Sequence, residues 1–304
     1  MVMSQWKEHM AENDVYAAAL AGKPHETCPA DPYVLVFQNP EIPGVRHLFF
    51  DGHSKGTGTW MHLIEGEDRA LLIDTAFGVG DLKALVETLT DKPCDVALTH
   101  FHGDHSAGAG QFGKVYCHKY DAPYLRDSIR SGHRLLPAGD FYRPEDVQPL
   151  DESLEIGEME EGFRLVLGPG HEVEAIHMPG HAAGGTMFLD HSTGALFSGD
   201  AILSTPTLIL DRFPAPHYPE YMTVTAFRNA IRDFLPRLDQ VKALYPGHGR
   251  LGMGPELVTD MLACCEAMIA APEEFEEYDY VDDPAQRRIK CVGQAMVVYS
   301  PSRI

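Results

Sequence analysis

The sequence predicts an α+β fold, built as a four-layer αββα sandwich. Runs of branched and aromatic residues typical of strands fill the first part of the chain, and a second strand-rich half extends from about residue 155 to 200. The strands of the first part are predicted at 33–37, 45–50, 60–64 and 70–73. Two strand-rich halves with helices outside them predict two sheets, each covered by helices on its outer face.

Individual elements follow from residue spacing. Leu82, Leu85, Val86 and Leu89 recur at helical spacing, which predicts an amphipathic helix before a strand at 96–99. The polar turn 65–68 joins two strands as a hairpin. Further elements are expected as strands at 173–178, 195–197, 241–245 and 291–299, and as helices at 224–235 and 256–269.

Composition limits the partners and the compartment. The 45 acidic and 24 basic residues give a formal charge of −21, which argues against non-specific nucleic-acid binding. No run of about 18 apolar residues is present, and the first 20 residues lack the apolar core of a signal peptide, so no membrane partner is expected. Six cysteines without a Cys-x-x-Cys pair predict free thiols in the cytoplasm. A small-molecule substrate is the expected partner, and a homo-oligomer is compatible with this composition.

The most informative stretch is 99–105, Thr-His-Phe-His-Gly-Asp-His, which follows a short buried strand. It places His100, His102, Asp104 and His105 within six positions, too close together for one helix face to present all of them. A sharp loop at a strand end can aim all four side chains inward. Imidazole nitrogen and carboxylate oxygen together suit zinc, manganese or ferrous iron, so the stretch predicts a metal site.

Three more potential ligands lie just past predicted strands. His181 follows Pro-Gly, Asp200 follows Ser-Gly, and His248 lies in Pro-Gly-His-Gly. Glycine-bearing turns let the backbone approach a metal closely. Seven ligands exceed the needs of one tetrahedral ion and suit two ions that share a bridging carboxylate.

This pattern resembles the signature of the metallo-β-lactamase-fold hydrolases. That signature is His-x-His-x-Asp-His, then a His after Pro-Gly, a Gly-Asp and a late His in a Gly-His context, and all of it occurs here in order between about 45 and 250. The resemblance implies the αββα fold, with metals at one edge of the two sheets. It also implies a metal-dependent hydrolase with two divalent ions, zinc first, with iron or manganese as alternatives.

The resemblance also implies roles for single residues. One ion would be held by His100, His102 and His181. The other would be held by Asp104, His105 and His248, with Asp200 as the bridge. Asp104 is in addition the candidate catalytic residue, orienting a hydroxide nucleophile, and Asp74 would support the ligands from beneath.

Residues that are typical of two other branches of this family are missing here, which narrows the choice of branch. The best-known true β-lactamases carry Cys at the bridging position, where this chain has Asp200, and diiron flavoprotein relatives replace the second motif His, whereas His102 is intact. The glyoxalase II and lactonase-like branch remains, and we expect hydrolysis of a small ester, thioester or lactone. A mononuclear-iron persulfide dioxygenase and a phosphodiesterase are the alternatives on the same fold.

The chain is expected to comprise an N-terminal helix and connector at 1–32 and a metallo-β-lactamase-like domain at 33–304. Within that domain, 203–221 is interpreted as a lid-like insertion and 250–304 as a C-terminal extension. The candidate substrate contacts are His53, His217, Tyr218 and Tyr221.

Overall fold

A computed structural model describes residues 4–51, 58–131, 150–211, 215–279 and 288–304. The chain divides into two compact units. Unit one comprises Met1–Lys23, His177–Met187 and Gly194–Ile304, and unit two comprises Pro24–Ile176 and Phe188–Thr193. The units are described separately below.

Unit two is built on an eight-stranded sheet in which strands β1 to β8 follow one another in sequence order. Neighbouring strands from β1 to β5 pair antiparallel, and those from β5 to β8 pair parallel. The strands are β1 (Glu26–Cys28), β2 (Asp31–Gln38), β3 (Val45–Phe50), β4 (Thr59–Glu65), β5 (Ala70–Ile73), β6 (Cys94–Ala97), β7 (Lys114–His118) and β8 (Glu155–Met159). A further hairpin is formed by β9 (Arg164–Gly168) and β10 (His171–His177).

Parallel strands need crossovers, and helices supply them in unit two. Helix α2 (Leu82–Leu89) joins β5 to β6, and its N-terminus is capped by the Asp81 carboxylate, which accepts a hydrogen bond from the Ala84 N–H. The same helix buries Leu82, Leu85 and Val86, as the spacing predicts. Two other helices in this unit are the single turn α3 (Gly103–Ser106) and α4 (Ala122–Ser131).

Unit one contains a four-stranded sheet in the order β13-β17-β16-β15 and a parallel pair of β12 with β14. Its strands are β12 (Ala195–Gly199), β13 (Thr207–Ile209), β14 (Ala243–Pro246), β15 (Glu276–Glu277), β16 (Arg288–Val292) and β17 (Ala295–Tyr299). The first two residues of β11 (Thr186–Asp190) belong to unit one and the last three to unit two. Its helices are α1 (Gln5–Ala21), α5 (Val224–Phe234) and α6 (Glu256–Ala270).

Helix α1 packs into the core of unit one through Trp6. The indole is 1% exposed and lies edge-on to Tyr278, with ring centroids 5.0 Å apart. The same apolar cluster contains Leu210, Ile289, Met296 and Val298. The N-terminal helix is therefore part of the same compact unit as the C-terminal sheet.

The structure corrects the prediction at the C-terminus. The strand expected at 291–299 is a hairpin of β16 and β17, because Gly293, with φ of 56°, turns the chain inside the apolar run. The expected connector up to residue 32 contains β1, and the lid-like segment 203–221 contains β13, which pairs parallel with β17. Among the described residues, no helix is long and apolar enough to cross a membrane.

The packing of Trp6 generates a stability prediction. We expect Trp6→Ala to lower the free energy of unfolding by about 3–5 kcal/mol, because it empties a buried aromatic site. Val15→Ala is the matched control, since Val15 lies on the same helix with 70% of its surface exposed and should change stability by less than about 0.5 kcal/mol. Urea unfolding of both variants measures the difference, and equal midpoints would contradict this account of α1.

Candidate metal centre

In unit two the four candidate ligands of the His-x-His-x-Asp-His motif follow strand β6. Strands β5 and β6 are parallel neighbours, so Asp74 and Thr99, which follow them, come together at one sheet edge. The Asp74 carboxylate accepts hydrogen bonds from the Thr99 N–H and the Thr99 hydroxyl, both at 2.7 Å. Asp74 has φ of 65°, an uncommon value that Asp tolerates better than most residues.

Asp74 also fixes the ring of a candidate ligand directly. Its Oδ2 lies 2.9 Å from Nδ1 of His105, whose side chain is fully buried. The backbone of His105 is held as well, because its carbonyl accepts hydrogen bonds from the Thr75 N–H and hydroxyl. With Nδ1 engaged, Nε2 is the atom of His105 that can bind a metal. This is the geometry that a supporting role for Asp74 requires.

The other motif ligands gather around His105. The His100 ring centroid lies 4.2 Å from that of His105 and 4.7 Å from that of His102, and His100 Nδ1 lies 3.1 Å from the Thr99 hydroxyl. Asp104 Oδ2 lies 3.6 Å from His105 Nε2. A single helical turn, α3, begins directly after His102 and so places Asp104 and His105 on a sharp bend.

In unit one, three potential ligands lie on turns after strands or strand-like segments. His181 follows Gly180, whose φ of 137° and close approach to Phe227 leave no room for a side chain. Its Nδ1 lies 2.7 Å from the carbonyl oxygen of Leu208 on β13, which leaves Nε2 as the ring nitrogen that can bind a metal. Asp200 follows β12 and His248 follows β14, two parallel neighbours.

Asp200 lies between His181 and His248, the two candidate histidine ligands of unit one. Its Oδ2 is 3.6 Å from Nε2 of His181 and 3.4 Å from Nε2 of His248. These separations exceed a normal hydrogen bond. Two ligand atoms that share a tetrahedral zinc ion at about 2.0–2.2 Å lie about 3.3–3.6 Å apart. The spacing of ligand atoms within each unit therefore fits divalent metal ions.

Other residues predicted as substrate contacts have different surroundings. Tyr218 adopts a left-handed conformation and is 39% exposed, and His217 beside it is partly buried. The Tyr221 ring lies edge-on to His177, with centroids 5.6 Å apart, and His177 Nε2 lies 2.9 Å from the Ala183 carbonyl oxygen in the His181 turn. His53 lies outside the described residues.

Several residues that hydrogen-bond to the segment carrying the candidate ligands were not predicted from the sequence. The Asp121 carboxylate accepts a hydrogen bond from the Phe101 N–H, and the Ser106 hydroxyl donates to the carbonyls of Phe101 and His102. Asp121 stands before Ala-Pro at the start of α4, a context that predicts a helix cap rather than support for a loop 20 residues away. The role of the Leu208 carbonyl could not be predicted from the sequence, because every residue has a backbone carbonyl.

Comparison with known proteins identifies the family. Residues 55–248, more than half of the chain, match the metallo-beta-lactamase superfamily. The chain belongs to the metallo-beta-lactamase superfamily. The resemblance drawn from the sequence is thereby confirmed.

Solved structures show the same fold. A metallo-beta-lactamase family protein from Thermus thermophilus superposes with a TM-score of 0.54 at 21% sequence identity, covering 76% of this chain and 82% of that one. At this identity the likeness establishes the fold alone. The predicted α+β class with a metallo-beta-lactamase fold is confirmed.

Several relatives are named thioesterases. An atrochrysone carboxyl ACP thioesterase from Aspergillus aculeatus is 25% identical over 159 residues, which is 51% of this chain and 43% of that protein. An acyl-coenzyme A thioesterase from Bos taurus is 24% identical over 232 residues, which is 67% of this chain and 76% of that protein. The chain spans about half the length of the fungal relatives that it matches.

The contacts of Asp74 generate the prediction for this site. Asp74→Asn keeps the size of the side chain and tolerates its backbone conformation, but removes the negative charge beside His105 Nδ1. We expect the affinity for zinc to fall by about 10- to 100-fold, as is usual when a residue that orients a ligand is replaced. Competition with a chromophoric chelator measures this affinity.

Asp95→Asn is the matched control for that experiment. Asp95 lies on the neighbouring strand, β6, where its carboxylate pairs with Arg69 at 2.8 Å at a partly exposed position. This variant should bind zinc as the unmodified protein does. Equal affinities for Asp74→Asn and Asp95→Asn would show that Asp74 does not support the ligands.

Proposed function

We propose that this chain is a metal-dependent hydrolase that cleaves thioesters, with two divalent ions, zinc first. The proposed ligands are His100, His102 and His181 for one ion and Asp104, His105 and His248 for the other, with Asp200 as the bridge. The observation that carries the proposal is the position of Asp200 Oδ2 between the Nε2 atoms of His181 and His248.

A carboxylate flanked in this way suits a bridge between two ions. Each imidazole is close enough to Oδ2 to share an ion with it, at 3.6 Å and 3.4 Å. A mononuclear centre of two histidines and one carboxylate needs three protein ligands, whereas this chain offers seven candidate ligands. The arrangement thus favours two-metal hydrolysis over the chemistry of a single ferrous ion.

The ions, when bound, would lower the pKa of a water molecule and stabilise negative charge on the substrate oxygen. The protein itself supplies orientation and proton transfer. Asp104 is 31% exposed at its side chain and lies 3.6 Å from His105 Nε2, so it can reach both a ligand position and solvent. In the proposed reaction water adds to the thioester carbonyl, the C–S bond breaks, and Asp104 passes a proton from the water to the departing thiolate.

A thioester is the favoured substrate within the wider group of esters, thioesters and lactones. Two superfamily relatives carry thioesterase names, one for an acyl-coenzyme A substrate and one for an acyl carrier protein. The six cysteines are free thiols in the structure, which supports the cytoplasm as the compartment of this reaction.

The proposal is tested with a substrate panel and a metal assay. We expect about two zinc ions per chain and hydrolysis of an acyl-coenzyme A above that of a lactone, a chromogenic phosphodiester and a β-lactam. Chelation should abolish the activity and zinc should restore it. One iron per chain with oxygen uptake on a glutathione persulfide, or a preference for the phosphodiester, would contradict the proposal.

Variants at two ligands give the matching mutational test. His102→Ala and Asp200→Ala should each lower turnover by about 100-fold or more, because metal-ion catalysis is worth several kcal/mol. Metal content should fall while the circular dichroism spectrum stays unchanged. His25→Ala, an exposed histidine packed beside Phe37, is the control and should retain full activity. Turnover by metal-free Asp200→Ala would refute the mechanism.

We further propose that the segment 203–221 contributes to specificity through its tyrosines. Tyr218 and Tyr221 belong to unit one with His181, and Tyr221 packs on His177 at the base of the His181 turn. A tyrosine hydroxyl that donates to the developing oxyanion is worth about 2.7–4 kcal/mol when well aimed.

Replacement of each hydroxyl tests this role. Tyr218→Phe or Tyr221→Phe should lower kcat while metal content stays at two ions per chain. Tyr116→Phe on β7 is the control, because that ring packs against Phe163 in unit two. If both variants match the unmodified protein in kcat and KM, the tyrosines of this segment do not contact the substrate.

A further inference from the structure

We infer that Asn13 of helix α1 is a positioning residue that holds the Asp200 and His248 turns together and so sets the affinity of one metal ion. The inference rests on the ligand set proposed above. Helix α1 lies outside residues 55–248, which match the superfamily. The positioning contact of Asn13 therefore comes from the N-terminal segment of this chain.

Asn13 is a polar residue at an apolar position. The buried residues of α1 are Trp6, Asn13 and Leu20, spaced by seven, so they share one face of the helix. An apolar residue at the centre of this face would pack without any need for hydrogen bonds. A buried amide is costly unless its polar atoms are paired, so its partners point to a specific task.

The partner of that amide is Ser204, 191 residues away. Asn13 Nδ2 donates to the Ser204 carbonyl oxygen at 2.8 Å, and the Ser204 hydroxyl donates to Asn13 Oδ1 at 2.7 Å. The two bonds engage both the donor and the acceptor of one amide with one residue. Ser204 is thereby fixed in position and in rotamer, four residues after Asp200.

Ser204 transmits this constraint to the His248 turn. Its hydroxyl oxygen accepts a hydrogen bond from the Arg250 N–H at 2.8 Å. Gly249, between His248 and Arg250, has φ of 78°, and a Cβ there would lie 2.3 Å from the Ser204 oxygen. The turn therefore passes against Ser204 at a distance that only glycine allows.

The two ligand turns are tied together on both sides of the ligands. Before the ligands, the Gly247 N–H donates to the Gly199 carbonyl oxygen at 2.9 Å. After them, the Ser204 hydroxyl binds Arg250, and Asn13 orients that hydroxyl. The first tie is a backbone bond and needs no particular side chain. The second depends on Asn13, so loss of its amide frees one side of the pair Asp200 and His248.

Two outer contacts place α1 beside the same turn. Glu12 Oε2 lies 3.1 Å from an Arg250 guanidinium nitrogen, and the Tyr16 hydroxyl lies 3.4 Å from the Leu251 nitrogen. Trp6, at the other end of the helix, packs on Tyr278 and the four-stranded sheet. The helix can thus be weakened at Trp6 without touching the Asn13 contacts, which provides a matched control.

The experiment measures metal affinity in the full-length chain. Zinc-loaded Asn13→Ala, Ser204→Ala, the double variant and Trp6→Ala are titrated with a chromophoric chelator, at a temperature where circular dichroism shows each to be folded. We expect Asn13→Ala to weaken the ion held with His248 by about 10-fold or more, and to weaken the other ion, which shares only the bridging Asp200 with this pair, by much less. Ser204→Ala should have the same effect, and the double variant should add little, because both substitutions break one network.

The control separates positioning from stability. Trp6→Ala should lower the unfolding midpoint and leave both zinc affinities within about twofold of the unmodified protein. Cobalt substitution gives a second readout, since Asn13→Ala should alter the visible absorption of the affected site and Trp6→Ala should not.

Each outcome decides the inference. Selective weakening of one ion in Asn13→Ala or Ser204→Ala supports it. Unchanged affinities in both folded variants, or equal weakening of both ions in Asn13→Ala and Trp6→Ala, would overturn it while leaving the proposed hydrolase in place. Failure of the unmodified protein to bind two ions would overturn the proposed function, and this inference with it.

Discussion

Orientation of the histidine rings is the constraint on which the ligand set depends. A hydrogen bond at one ring nitrogen fixes the orientation of an imidazole and the nitrogen that it offers to a metal. Three of the candidate histidines have such a bond, each to a different kind of group. For His105 it is the Asp74 carboxylate, for His100 the Thr99 hydroxyl, and for His181 the Leu208 carbonyl. A carboxylate raises the basicity of its ring more than a hydroxyl or a carbonyl does, so the three rings are not equivalent donors.

Strand ends explain why such holding groups are available. The carboxyl ends of parallel strands meet at one edge, where β5 and β6 bring Asp74 to Thr99, and β12 and β14 bring Gly199 to Gly247. The sheet fixes the backbone on one side of each turn. The positive φ of Gly180, Gly199 and Gly249 then lets the chain turn sharply beside the ligand without strain.

The sequence predicted what depends on local pattern. Helix α2, strands β3 and β5, and the position of the candidate ligands after β6, β12 and β14 all follow from spacing, strand ends and the family signature. The hairpin of β16 and β17 was not predicted, because a single glycine inside an apolar run is weak evidence for a turn. Asn13 and Ser204 were missed for another reason: their pairing joins residues 191 apart, and neither residue is unusual within its own segment. The spacing of Asn13 midway between Trp6 and Leu20, on one face of α1, was the feature of the sequence that could have indicated a buried polar contact.

The pairing of β13 with β17 has a consequence for the order in which the protein matures. The Leu208 carbonyl that holds His181 lies on β13, whose parallel partner β17 is made much later during synthesis from the N-terminus. Until β17 emerges from the ribosome, β13 lacks this partner and His181 lacks a fixed acceptor. Fixing His181 for metal binding then requires β17, and a nascent chain stalled before residue 295 would present a histidine of undefined orientation.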